Sequence, residues 1–358
     1  MKRILTHTLA IASGVLVTIL WSHFRITSES LSREHSVNGC NKQRLATTAA
    51  KTPSSLVSRP RNLHFGDEPS EKITAADLDP WLAAKKGDSH ALAEAQAIAG
   101  LIAENPDWIR QAIELDPDNA HLLFIGATHS AFSEAERLSL SARFYQKDAQ
   151  NGLAAFIFAA QLLKNGDTKK GIEILQSSQG RPRIDTFAIQ TQLLMDDAYI
   201  AAGYSPLEAK THSLFGLKIP YYSDLQSLVT SIHGMGHSLP PEQAANLRAL
   251  SATIGMRLTE QTRSVTFVDH LIGLKLEEKT LEGLADDSPS PYQGITVQEA
   301  RNAITREREE LRKVMQLAPL DTVMASDSKS VAGYIDRMRL LGEREAAKWW
   351  LEQKNAHK

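Results

Sequence analysis

Ala155-Phe156-Ile157-Phe158-Ala159-Ala160-Gln161-Leu162-Leu163-Lys164-Asn165-Gly166-Asp167, followed closely by Lys170-Gly171-Ile172-Glu173-Ile174-Leu175, is the stretch that decides the fold. Apolar residues return every three or four positions on both sides of a short polar break, which is the period of an α-helix and not the alternation of a strand. Gly166-Asp167 supplies the turn between them. Two short helices joined in this way cannot bury their apolar faces alone, so each hairpin must lean on a neighbour.

The same texture extends outward from Ile73 to the end of the chain: Ala, Leu, Glu and Gln dominate, with helix punctuation between apolar-periodic runs. Thr74 with Asp77, Ser133 with Glu136, and Thr296 with Glu299 have capping-box spacing, in which each side chain satisfies a backbone donor left orphaned at a helix start. Asn105 before Pro106, and Ser205 before Pro206 with Glu208, place an N-cap ahead of a proline whose missing N–H is not needed there. Strand signals are nearly absent. The expectation is an all-α chain of about fourteen helices joined by short links such as Asn165-Gly166-Asp167 and Gly180-Arg181-Pro182.

Ala112-Ile113-Glu114-Leu115-Asp116-Pro117-Asp118-Asn119 precedes a helix, Ala120 to Ala131, that carries small residues at Gly126 and Ala127; about thirty-two residues later comes the opening stretch, with Phe158-Ala159 as an apolar-then-small pair and Gly171 at a tightly packed small position. These residues resemble a tetratricopeptide repeat over about residues 86 to 182. The usual tryptophan near each repeat start is missing, and the helix Asp107 to Leu115 is shorter than the family's. The resemblance implies a helical-hairpin repeat of TPR-like α-solenoid type over 73–184 and a protein or peptide partner. Residues 185–358 show helical hairpins without a clear period, giving an irregular helical C-terminal half.

At the other end, Lys2 and Arg3 precede eighteen mostly apolar residues, Ile4 to Trp21. Such a helix spans roughly 27 Å, close to the thickness of a bilayer core. The cations before it outnumber Arg25 after it, so the positive-inside bias places the N-terminus in the cytoplasm and the bulk of the chain outside. Bulky or charged residues from Trp21 to Arg25 are unsuited to signal-peptide cleavage, which favours a retained transmembrane anchor over residues 1–25; a cleaved signal giving a secreted or periplasmic protein is the alternative. Residues 26–72, polar and with Pro53, Pro60 and Pro69, read as a disordered tether with a reach of roughly 35 to 40 Å.

Composition narrows the function. Forty cations against forty-two anions leave a net charge of −2, and no basic block interleaved with aromatics occurs, so nucleic acid is not an expected partner. A single cysteine, Cys40, excludes an intramolecular disulfide and lies too far from the apolar core to be a lipoprotein cysteine. No Asn-x-Ser/Thr acceptor occurs, which mildly disfavours a eukaryotic secreted glycoprotein and is compatible with a bacterial one. No phosphate-cradling glycine loop or nucleophile elbow is present, and no cofactor is expected.

Histidine offers the one candidate chemical cluster: His212, His233, His237 and His270 as metal ligands, with Asp269 preceding the last. His233 and His237 have the i, i+4 spacing of helical zinc sites, but Gly234, Met235 and Gly236 stand where a helical zinc protease places its glutamate. The helix Thr296 to Leu317 carries a narrow apolar stripe, Val297, Ile304 and Leu311, on a strongly charged background, and reads as an amphipathic outer helix or, alternatively, a docking helix. Of the adjacent Trp349 and Trp350, only one can face a core. The leading expectation is therefore a non-enzymatic, membrane-tethered, extracytoplasmic scaffold that binds protein; the runner-up is a tethered metal-dependent hydrolase using the histidines.

Overall fold

The computed structural model describes residues 73–217, 220–236, 239–260, 266–292, 294–324 and 326–356. The apolar segment Ile4–Trp21, the tether and His237 lie outside the described residues. Sixteen α-helices occur among the described residues: α1 (Ala75–Ala84), α2 (Ser89–Ile102), α3 (Pro106–Leu115), α4 (Ala120–Thr128), α5 (Glu134–Lys147), α6 (Gly152–Lys164), α7 (Thr168–Ser177), α8 (Ala188–Ala201), α9 (Pro206–Gly216), α10 (Tyr221–Gly236), α11 (Pro241–Glu260), α12 (Phe267–Thr280), α13 (Val297–Leu317), α14 (Leu320–Met324), α15 (Ser328–Leu341) and α16 (Glu343–Ala356). No strand forms among the described residues, and none of their helices is long and apolar enough to cross a membrane.

The capping residues do what their spacing requires. Thr74 N–H donates to Asp77 at 2.8 Å, Ser133 N–H to Glu136 at 2.7 Å, Ser205 N–H to Glu208 at 2.8 Å and Thr296 N–H to Glu299 at 2.7 Å. A further box was not read from the sequence: Thr266 Oγ1 accepts from Asp269 N–H at 3.1 Å, so Asp269 serves the start of α12.

Consecutive helices pack in pairs, α2 with α3, α4 with α5, α6 with α7, α8 with α9 and α15 with α16. Gly126 and Gly171 let two of these pairs close. A Cβ on Gly126 would meet Ile113 Cδ1 at 2.7 Å and Leu140 Cδ1 at 2.8 Å; one on Gly171 would meet Leu163 Cδ2 at 2.8 Å. Neighbouring pairs lie so close that α4 is buried from His121 through Thr128 and α6 from Gly152 through Leu162. A helix apolar on every side has that fate.

The chain then folds back over the first pairs: α8 lies against α1 and α2, and α10 against α6. One apolar core accordingly runs from Leu78 on α1 to Leu276 on α12, past residue 184. Val297, Ile304 and Leu311 of α13 are buried with Phe267 and Leu274 of α12, so the stripe is a core face. At the end of the chain Trp350 is buried against Tyr334 while Trp349 stays half-buried beneath Arg337.

Candidate functional site: the α5–α6 corner and the strap it holds

Between α7 and α8 the chain crosses the corner where α5 turns into α6, and residues 181–187 run there as an extended strap. Asn151, the N-cap of α6, is fully buried and holds it. Asn151 Oδ1 accepts from Leu153 N–H at 3.1 Å, closing the helix start, and from Asp185 N–H at 3.0 Å. Its Nδ2 donates to Asp185 C=O at 3.0 Å and to Asp148 Oδ2 at 3.1 Å. All four bonds that a carboxamide can make are therefore made, and two of them read the main chain of one strap residue, as a sheet neighbour would.

The contact continues on either side. Gly152 N–H donates to Arg183 C=O at 2.6 Å, and Arg183 N–H to Gln150 C=O at 3.2 Å. Arg183 Nη2 donates to Asp148 Oδ1 at 2.5 Å. Residue 152 is tightly packed: a Cβ there would meet Arg257 Nη1 at 2.9 Å, Ile184 Cδ1 at 3.0 Å and Arg181 C=O at 3.2 Å, so those neighbours would have to shift. From α11, Arg257 donates to the carbonyls of Ser178 and Arg181 at 2.8 and 2.7 Å, and Arg181 lies over the Tyr145 ring at 3.8 Å.

Phe187 closes the strap. Its ring stacks on His121 at 5.3 Å and meets Phe124 at 5.5 Å and Phe144 at 6.0 Å. To reach them its backbone takes a left-handed φ of 53°, which costs a bulky residue about 1 to 2 kcal/mol. Beyond it α8 is tied to the first helices: Thr191 Oγ1 shares a 2.9 Å hydrogen bond with the buried His121 Nε2, and Gln190 Nε2 donates to Glu94 Oε1 at 2.5 Å. Thr191, His121 and Glu94 stand in the order of a hydrolytic relay, but both the hydroxyl and the imidazole are buried, so a substrate would have no access.

The histidines singled out from the sequence do not gather. His212 on α9 stacks on Tyr199 at 5.3 Å and meets Tyr204 edge-on at 5.1 Å, and burial lowers its pKa. His233 sits half-buried near the end of α10. His270 on α12 lies 3.2 Å from Glu307, which in turn is 3.1 Å from Arg344; burial lowers its pKa. Among the described residues no three His, Cys, Asp or Glu side chains converge as a metal site, and His237 lies outside them.

Two other polar clusters fix helix docking. Arg339 of α15 is buried with Asp196 and Gln192 of α8 and Ser213 of α9. Its guanidinium donates to both Asp196 oxygens at 2.5 and 3.0 Å, to Gln192 Oε1 at 3.0 Å and to Ser213 Oγ at 2.8 Å. At the start of α12, Glu343 of α16 accepts from Phe267 N–H at 2.7 Å, and Tyr221 donates to Asp269. Burial pushes the Glu343 carboxyl up to about 7 and raises that of Asp269.

Nothing in the sequence pattern marked the strap, because its partners lie about thirty-four residues away in the chain. Comparison with protein-family models, with curated proteins and with solved structures gave no match.

Proposed function

We propose that this chain is a membrane-tethered, extracytoplasmic scaffold of TPR-like helical repeats that binds polypeptide. The observation that carries this reading is the α5–α6 corner, where the junction of two repeat-like helix pairs holds an extended stretch of chain through its main chain and one arginine. A surface able to do that for its own strap has the chemistry to do it for another chain. The anchor rests on Ile4–Trp21 and the cations before it, and the tether on the polar run 26–72. Placement outside the cytoplasm follows from the positive-inside bias.

Affinity capture of the tagged full chain from detergent-solubilised membranes tests the scaffold reading. A protein recovered in near-stoichiometric yield is the expected result, and recovery of none across several salt concentrations would refute it. Mass spectrometry of the native N-terminus tests the anchor: the intact segment should be present, and a chain beginning between Ser22 and Ser36 would overturn it.

A further inference from the structure

The corner that holds the strap has a copy. Asp148 ends α5 at φ −110°, ψ 68° and Asn151 caps α6 at φ −91°, ψ 111°. Asp116 ends α3 at φ −134°, ψ 78° and Asn119 caps α4 at φ −71°, ψ 114°. Each asparagine N–H donates to the carbonyl of its aspartate, at 3.1 and 3.3 Å, and each carboxamide Nδ2 donates to the carboxylate, at 3.1 and 3.2 Å. Each Oδ1 also caps the following helix. The same four-residue frame therefore occurs twice, about thirty-two residues apart.

What differs is the occupant. At the α5–α6 corner, Arg183 sits on the aspartate and the Asp185 main chain on the asparagine. At the α3–α4 corner no strap arrives among the described residues. His90 places its ring on Asp116 instead, with Nδ1 2.6 Å from Oδ2, and this side chain is 64% exposed. That bond raises the His90 pKa, as a carboxylate paired with a cation would. Beyond its bond to Asp116, Asn119 Nδ2, whose counterpart on Asn151 holds the strap carbonyl, reaches Glu94 and His90 only at 3.4 Å, and its Oδ1 takes Leu122 N–H at a long 3.4 Å where Asn151 Oδ1 takes the strap N–H. Glu94, bordered by Gln190 of α8, adds a second carboxylate; the fully buried His121 aims Nδ1 at it from 3.5 Å without a hydrogen bond.

We propose that the α3–α4 corner, framed by Asp116 and Asn119, binds an extended segment of a partner polypeptide: an arginine on Asp116, and a main-chain N–H and C=O pair two residues later at Asn119. His90 is the stand-in cation that such an arginine displaces. Two carboxylates at the rim, Asp116 and Glu94, complement a cationic side chain, and arginine fits a carboxylate in a way that a lone imidazole does not. This deepens the scaffold reading and rests on it for its biological partner.

The test uses the full chain and a fluorescein-labelled synthetic peptide of residues 180–186, Gly-Arg-Pro-Arg-Ile-Asp-Thr, read by polarisation and by photo-cross-linking. Saturable binding is expected, with cross-links to residues 88–121. Asp116→Asn should weaken it about tenfold, the usual loss for a charge-assisted hydrogen bond, and so should alanine for the second arginine of the peptide. Asn119→Ser, which keeps a helix cap and loses Nδ2, should also weaken it. His90→Ala, which vacates Asp116, should tighten it, a change that a merely structural role for the corner would not produce. No binding at 1 mM by either the wild type or His90→Ala, indifference to Asp116→Asn, or cross-links confined to residues 148–152 would each overturn the proposal. A chain that captures a membrane partner yet ignores this peptide loses the corner and keeps the scaffold; one that binds the peptide but captures nothing does the reverse.

Discussion

Replacing Asn151 by alanine removes four hydrogen bonds and nothing else of size, so its effect can be worked out from the geometry. Loss of the α6 cap costs about 1 kcal/mol. The two bonds to the Asp185 main chain contribute about 1 kcal/mol each, and the one to the Asp148 carboxylate about 1.5 kcal/mol. Because the residue is fully buried, water cannot enter to replace them without disturbing Ile184 and Gly152 beside it. The expected loss is about 4.5 kcal/mol. With a urea slope of about 3 kcal/mol/M, at the upper end for small proteins, the unfolding midpoint should fall by about 1.5 M. Hydrogen exchange should accelerate at Asp185 and Gly152, whose amides the corner protects. A loss below about 1 kcal/mol, with both amides still slow, would show that the strap is held by Phe187 and α8 alone.

Three further outcomes follow from other sites. Arg339→Met strands the Asp196 carboxylate among Gln192 and Ser213 and should cost about 3 to 5 kcal/mol, whereas adding Asp196→Leu should restore most of it; additive losses in thermal unfolding would contradict the coupling. Glu343 titrates near 7 when folded and near 4.5 otherwise, so the folded state binds its proton more tightly. Stability should thus be highest below about pH 4.5 with respect to this group and decline as pH rises toward 7. Glu343→Gln keeps an acceptor for Phe267 N–H and should flatten that slope in urea titrations at several pH values; an unchanged slope would refute the assignment. Gly255→Ala or Gly273→Ala should cost about 1 to 3 kcal/mol, because a Cβ at 255 would meet Gly273 C=O at 2.9 Å and one at 273 would meet Gly255 C=O at 2.9 Å; a neutral effect in chemical denaturation would mean that α11 and α12 can separate freely.

Much of the local structure was legible in the sequence. Ser133, Ser205 and Thr296 each announce a helix start through a partner three residues on, and Gly126 and Gly171 announce close helix approaches by being small on apolar faces. The histidines were harder. His233 and His237 share a spacing, but spacing along one helix says nothing about what a second helix brings, and His212 and His270 proved to answer to Tyr199 and Glu307. The α3–α4 and α5–α6 corners share Asp-x-x-Asn in the sequence, yet the pattern alone does not tell which corner receives a strap.

That division has a physical origin. Helix period, caps and tight small positions depend on residues within a turn or two of one another, so the sequence by itself determined that the described residues are all-α and where many of their helices begin. What covers each apolar face depends on residues far apart: Asn151 and Asp185, Arg137 and Asp224, Arg339 and Gln192, the last pair 147 residues from one another. Only the tertiary structure decided that α8 and α10 return over the first hairpins, that one corner is filled by the chain's own Arg183, and that its copy carries His90 in the same place.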